Sequence, residues 1–406
     1  MATETLKKKA EEAKTKKAAF GEDIELEQFK EARRDMPTAE SLESLSESDR
    51  RTLLNAGVMP SGEGRSGSFV LMDNTVVHES IMGSGVEVTS VQQALKNHDW
   101  VKDYSWKAVA VDADKYTART YLEDADGYFI RALAGHKVQL PVQTCLMVKS
   151  KDAAQTVHNI IIIEEGAELE VLTGCSTSKG VERALHLGIS EFYIKKGAKL
   201  TFTMIHNWSE TMGVRPRTVI LQEEDSTYIS NYVALRPVQT IQTYPTTRMD
   251  GAGSVARFST VAIGHPGSEL DLGGRALMNA PNTRCEIVSR TVSTGGKIIS
   301  RGQLVGRAPG IKAHLECKGL ILNDKGIQIA IPELEAYVPD VEMTHEAAVG
   351  KIAQDQVEYL MSRGLTEEEA VGMIVRGFLD VSIMGLPDQL KAEIDATMQQ
   401  ADIGKM

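Results

Sequence analysis

From Tyr128 onward the chain runs in short segments of alternating apolar and polar residues, each closed by a turn residue. Turn signals fall at Gly166, Gly197, Gly251, Gly267, Asn282, Gly295 and Gly310. From Gly251 the successive intervals are 16, 15, 13 and 15 residues, and Gly166 to Gly197 spans 31, so two short intervals make one long one. A repeat of about 30 residues carrying strand for two sheets is what stacked coils require, because each coil buries its apolar face only against the next. Regular turns also suit an antiparallel sandwich. Periodicity by itself leaves both open.

The alternation also predicts which side chains point inward. After Gly197, Leu200, Phe202 and Met204 share one face, and by period two His206 and Trp208 continue it. Leu169 and Val171 share a face with Cys175, and Ile311, Ala313 and Leu315 share one with Cys317. Both thiols are therefore predicted inside the coil. Taken alone, an inward Cys is a small core hydrophobe and an inward Trp fills space. Cys145 and Cys285 read as core thiols.

The pattern changes at both ends. Residues 2–35 mix Lys, Glu and Ala and predict a solvated, helix-prone segment; 41–55 predicts a short helix, 86–96 an amphipathic helix, and 105–112 a strand. The glycines of 60–67 lack the order of a phosphate-binding loop and read as a flexible connection. His78 and His98 are isolated. Past the last alternating segment, 351–363 predicts a helix stopped by Gly364, and Thr366 with Glu369 forms a capping box. Ala370, Ile374 and Phe378 then lie on one face of the next helix, and Pro387 opens a last one with Leu390, Ile394 and Met398 in a row. The predicted division is an N-terminal helical and mixed region at 1–128, a β core at 129–345 and a helical domain at 346–406.

Charge and cysteine content narrow the classes. A net charge of -11 supplies no overall basic face for phosphate neutralisation, which argues against nucleic-acid binding. The four cysteines, Cys145, Cys175, Cys285 and Cys317, are widely spaced, which indicates neither a disulfide framework nor a zinc module and fits a reduced cytosol. The N-terminus has no apolar signal region, and the longest aliphatic run, Ile160 to Ile163, is far short of a membrane span. A soluble, cytoplasmic protein without membrane contact is expected.

The chemistry concentrates between Ile311 and Gly350. A strand carries Cys317, a turn follows at Asn323-Asp324-Lys325-Gly326, and a loop is read as delivering Thr344-His345-Glu346-Ala347 onto a helix start. Thiolate and imidazole suit iron or zinc, and a carboxylate completes such a set as a harder, more labile ligand. Without more, Cys317 is a buried small residue and His345-Glu346 a helix cap.

The run from His345 to Ile352, followed by Asp355-Gln356, Tyr359 to Leu365, Thr366 to Ala370 and Arg376-Gly377-Phe378, resembles the C-terminal signature of the SufB/SufD family of iron-sulfur assembly proteins. The similarity extends back through Cys317 and Trp208 to Gly174-Cys175-Ser176, covering roughly 135 to 385. That resemblance implies a mainly β protein with a right-handed parallel β-helix core. It also implies Cys175 as sulfur acceptor, a path past His206 and Trp208 through the interior, and Cys317 as destination. Cys317, His345 and Glu346 would be the iron ligands of a transient cluster of the 4Fe-4S type. His206 stands where the family has Gln, and Met147 and Lys149 stand where it has Arg and Asn, so the path is less closely matched than its ends.

The same resemblance implies a scaffold rather than an enzyme, with ATP hydrolysis by a separate SufC-like ABC ATPase docked on residues 351–385. A sulfur donor supplies it and apo-proteins receive the cluster. Keeping Cys317, His345 and Glu346 together makes the chain SufB-like, and its shorter N-terminal half resembles single-component archaeal forms, for which a homodimer through 311–345 is expected. Sulfur transfer further predicts partial access to Cys175. The alternatives are a SufD-like structural partner without its own cluster, or a β-helix carbohydrate-active enzyme using carboxylates among Glu164, Glu165, Glu223, Glu224 and Asp271.

Overall fold

The strand pattern folds into a parallel β-helix, and the computed structural model describes residues 2–379. One wall is a ten-stranded sheet. Read from its free edge, it runs Val341–Gly350, Ile311–Ile321, Arg284–Ser293, Val255–Gly264, Thr227–Ala234, Lys199–Asn207, Glu168–Thr177 and Val142–Val148, all parallel, then Gly67–Met72 and Thr75–Ile81. A twelve-stranded sheet forms the facing wall. Pairing shifts by one coil of about 30 residues: Glu168 pairs with Lys199, Lys199 with Thr227, Thr227 with Val255, and Val255 with Arg284. Equivalent residues therefore stack in columns. Leu169, Leu200, Tyr228, Ala256, Cys285 and Ala313 form one such column, all buried in the central apolar cluster. The sandwich alternative is excluded by this parallel register.

Turns repeat where the sequence marks them. Gly166 holds φ +65° and Gly197 +64°, a region costly for residues with a Cβ. One coil on, Asp225 takes the same conformation, and Asn282 does so later, the types that tolerate it best.

The N-terminal region is built into the coil. Gly67–Met72 pairs in parallel with Val142–Val148, Val86–Ser90 pairs antiparallel with Tyr128–Ala132, and Lys30–Glu31 pairs with Ala153–Ala154. The solvated N-terminus is only partly so: helix Ala2–Glu12 rests on helix Lys115–Leu122 with Ala10 and Ala13 buried.

Three local expectations are corrected. The segment 86–96 is not one helix: Val86–Ser90 alternates as a strand, and helix Val91–Asn97 begins only where the Ser90 side chain accepts the Gln93 N–H. Residues 105–112 are not a strand. The fully buried Glu191 carboxylate instead accepts the backbone N–H groups of Trp106, Lys107, Ala108 and Val109 at 2.6–3.0 Å, taking the donors a ladder would have used. Finally, His345-Glu346 is no helix start. Strand Val341–Gly350 carries both residues, because the preceding strand offers a free edge that pairs from Ile311↔Val341 to Leu320↔Gly350.

The helices begin later, with Gln354–Ser362 and then Glu367–Phe378. Gly364 takes φ +98°, and the Thr366–Glu369 capping box is complete. The second helix packs on the outer face of the ten-stranded sheet, burying Val375 and Leu379 against Ile205, Val233, Val261, Ile263 and Val292. Each such buried side chain contributes roughly 1.5–3 kcal/mol. The helix read after Pro387, and residues 380–385 of the segment assigned to ATPase docking, lie outside the described residues.

Candidate functional site

The last two strands of the ten-stranded sheet set the geometry of the site. In Ile311–Ile321, Ile311, Ala313, Leu315 and Cys317 are buried on the inner face, while Lys312, His314, Glu316 and Lys318 face out. Register then assigns the final strand: His345 lies beside Leu315, Glu346 beside Glu316 and Ala347 beside Cys317. Cys317 and His345 are thus diagonal neighbours on the inner face of adjacent strands. Glu346 is on the other face. The expected Cys-His-Glu set is therefore split by the sheet within one chain, because residues adjacent in a strand point to opposite sides.

Cys317 is 2% exposed, and burial first, with nearby Glu316 second, pushes its thiol up to about 11. It is protonated at neutral pH until a cation draws off the proton. His345, on the last strand, is exposed.

On the outer face Glu346 joins a different group. One ligand atom each of His314, Glu316 and Glu346 lie within 4.8 Å of one another, a set that suits a divalent cation. Lys318 already bridges the two carboxylates, with its Nζ 3.1 Å from Glu316 and 3.1 Å from Glu346, and Arg290 stands 3.7 Å from Glu316. His314 Nδ1 is held by the Thr344 hydroxyl at 2.7 Å, which leaves Nε2 for a ligand. His314, Glu316 and Lys318 were passed over in the sequence, although their alternation with Leu315 and Cys317 marks a shared outer face.

Cys175 is inward, as the alternation predicts, but the access expected for it is absent: it is fully buried in the central cluster. Burial holds its thiol well above the ordinary range. Across the outer face of this strand, a Cβ at Gly174 would lie 2.4 Å from the Ala56 carbonyl oxygen, so the chain after helix Glu47–Asn55 covers the strand closely. Five strand spacings separate Cys175 from Cys317, about 24 Å at roughly 4.8 Å each. Direct thiol exchange between them is impossible in this arrangement.

What lies between them is polar. His206 pairs with Cys175, and its Nδ1 is hydrogen bonded to the Tyr232 hydroxyl at 2.8 Å. Tyr232 pairs with Thr260, Thr260 with Ser289, and Ser289 with Cys317. This column of hydroxyls escapes a linear reading, since its members stand 28 or 29 residues apart, but aligning the coils would have found it. Burial lowers His206 to about 3, with His186 adding to the shift, so the imidazole is neutral. Trp208 sits between the rings of His186 and His206, with its buried Nε1 lacking a hydrogen-bond partner.

The remaining candidates are structural. Cys145 is buried beside Ser176, and Cys285 is buried in the core. Met147 is buried, and Lys149 pairs with Asp49 at 2.8 Å. Glu164, Glu223, Glu224 and Asp271 are held by Arg131, Lys195, Lys196 and Arg301, which gives the carbohydrate-active reading no free carboxylate pair among these four.

Residues 146–378 match the family model described as SUF system FeS cluster assembly, SufBD core domain. The chain is 48% identical over 399 residues to an iron-sulfur cluster assembly SufBD family protein of Methanothermobacter thermautotrophicus (strain Winter), covering 97% of each chain. To a SufBD family protein of Archaeoglobus fulgidus it is 49% identical over 354 residues, covering 87% of this chain and 95% of the other. To the iron-sulfur cluster assembly protein SufB of Bacillus subtilis it is 30% identical over 323 residues, covering 78% and 69%. With its parallel coil and the matched core, the chain belongs to the SufBD family of iron-sulfur cluster assembly proteins.

Proposed function

We propose that this protein is the scaffold on which an iron-sulfur cluster is assembled at the free edge of the coil, then released to apo-proteins. The observation that carries the reading is the shared inner face of Cys317 and His345 on the last two strands of the ten-stranded sheet. Few protein ligands at an edge leave a cluster, here of the 4Fe-4S type, labile, which suits cargo rather than a resident cofactor. Glu346, with His314 and Glu316, collects iron on the outer face before it meets sulfur. Cys175 accepts sulfur, and the interior past His206 and Trp208 leads toward Cys317.

The partners follow from what is left exposed. Helix Glu367–Phe378 buries one face on the coil and helix Gln354–Ser362 packs beside it, and together they expose Tyr359, Met361 and Met373, an apolar surface for a SufC-like ABC ATPase that supplies the hydrolytic step. Strand Ile327–Ala336 and the next turn expose Ile327, Ile329, Leu334 and Tyr337, and Val349 is exposed on the last strand. Unpaired strand edges bearing apolar residues favour pairing with a second copy, which gives a homodimer through 311–345 and its flanks. Four free cysteines suit a reducing cytoplasm, and no described helix is long and apolar enough to cross a membrane.

Anaerobic reconstitution with iron and sulfide tests the reading, followed by absorption and Mössbauer spectra. Cys317→Ala and His345→Ala lose bound cluster, whereas Cys175→Ala loses only sulfur delivered by a persulfide donor. Full cluster content in Cys317→Ala would overturn the assignment.

A further inference from the structure

On the outside of the coil one carboxylate shapes a second site. Glu191 and His158 lie on the outer face of the paired strands Ala184–Ile194 and Ala153–Ile163, whose alternate residues Val157, Ile161 and Phe192 fill the core. Glu191 is fully buried and draws in the N–H groups of four consecutive residues, Trp106 to Val109. Curling the chain in this way holds Trp106 at φ +57°, a left-handed conformation that a bulky aromatic residue rarely adopts. Such strain persists only where the surroundings fix it, and here the carboxylate does so. The Trp106 ring is thereby laid on the His158 imidazole, with centroids 4.4 Å and planes 27° apart, while Tyr121 meets it edge-on at 5.3 Å.

These rings line a cleft of about 630 Å³, within the range that takes a small organic ligand. Helices Ala2–Glu12, Val91–Asn97 and Lys115–Leu122 contribute its walls. Trp106 and Tyr121 are only half-buried and present the remainder of their rings to it. His158 is buried at its base, with Nε2 bonded to Glu191 at 2.8 Å and Nδ1 without a hydrogen-bond partner among the described residues. Because Glu191 already accepts four N–H groups, Nε2 of the neutral imidazole donates to it, and Nδ1 is left as an acceptor. Of the charged groups lining the cleft, Lys102 is held by Asp99 at 2.7 Å and Asp124 by the Gln92 amide at 3.1 Å. Among the described residues that leaves Lys7 and Lys107, both exposed, against Asp103 alone.

We propose that this cleft binds a small planar aromatic anion, of one or two rings, that carries a hydroxyl or ring N–H group. Three features select that class. Trp106 and Tyr121 offer aromatic surface, and stacking or edge contact with a ring gains more than the buried area alone. His158 Nδ1 accepts the hydroxyl or N–H hydrogen at the base. Lys7 and Lys107 meet the negative charge at the rim. The platform is also set in advance, since the four hydrogen bonds to Glu191 fix Trp106 before any ligand arrives, and a ligand then has little left to order. None of these residues points into the coil interior or lies on the strands of Cys317 and His345, so the inference stands apart from the scaffold reading.

The probe is 6-hydroxy-2-naphthoate, a two-ring aromatic carboxylate with a hydroxyl at its far end. Titration calorimetry of the intact protein is expected to show saturable one-to-one binding. The parent 2-naphthoate, without the hydroxyl, should bind up to about tenfold more weakly, the worth of one neutral hydrogen bond. A saturated analogue, 4-hydroxycyclohexanecarboxylate, keeps the charge and the hydroxyl but no aromatic ring, and should not bind measurably. Trp106→Leu should lower naphthoate affinity at least about tenfold. Lys107→Ala changes an exposed side chain and should leave the urea midpoint where it was, while lowering affinity about threefold and weakening its dependence on salt. Absence of saturable naphthoate binding by the intact protein would overturn the site. Unaltered affinity in both variants would do the same, because the ligand would then sit elsewhere.

Discussion

Cys317 and Glu346 stand on opposite faces of one sheet, although their strands are direct neighbours. The two residues therefore do separable work within one chain. Glu346→Gln is expected to lower ferrous-ion binding about tenfold before any sulfide is added, a typical loss for one member of a metal site. Cys317→Ala should leave that step intact and fail only when the cluster forms. Anaerobic equilibrium dialysis with iron alone, then with iron and sulfide, distinguishes them, and equal loss of iron in both variants would refute the division.

Lys318 competes with any cation for Glu316 and Glu346, its ammonium lying 3.1 Å from each. Its own proton is held more tightly than usual, chiefly by the hydrogen bonds to those carboxylates. Lys318→Met should raise affinity for ferrous or manganous ion by about tenfold, since it removes a positive charge from a site with two carboxylates. Titration calorimetry measures this, and unchanged or weaker binding would show that the outer group is only a surface ion-pair network.

Acid should destabilise the coil through its buried imidazoles. Burial lowers both His186 and His206 to about 3, against about 6.5 when unfolded. Below pH 6.5 the unfolded chain binds protons that the folded chain refuses, so the stability these groups contribute is present above 6.5 and lost as pH falls toward 3. The slope approaches about 1.4 kcal/mol per pH unit for each histidine. Urea midpoints at pH 7, 6 and 5 should fall accordingly, and His186→Gln with His206→Gln should flatten the decline.

Alkylation reports the two principal thiols separately. Cys317, pushed up to about 11, should react with iodoacetamide slowly at pH 7 and faster with each pH unit, while fully buried Cys175 stays unlabelled until the protein unfolds. Mass spectrometry of native and urea-treated samples reads both. Rapid labelling of Cys175 at neutral pH would show that the coil opens readily.

Glu191→Ala would remove the acceptor of four backbone N–H groups and the partner of His158, 2.8 Å away. A loss of about 3–5 kcal/mol in unfolding free energy is expected, as when a buried charge network loses one partner. Hydrogen exchange should quicken at residues 106–109 first; equal quickening everywhere would mean that Glu191 does not act locally.

Much of this protein could be read from its residues in order. The coil repeat, the inward direction of Cys175 and Cys317, and the Thr366–Glu369 cap follow from alternation, turn chemistry and local hydrogen bonding, which act between near neighbours. The sequence misled at His345-Glu346-Ala347-Ala348, a run whose Glu and Ala favour helix. The unpaired edge of Ile311–Ile321 outweighed that preference. Register between coils decided the rest: it parted Glu346 from Cys317, drew it to Glu316 and His314, aligned Tyr232, Thr260 and Ser289, and buried Cys175. Those relations join residues far apart in the chain, and they exist only once backbone hydrogen bonds have fixed which residue of one coil lies against which residue of the next.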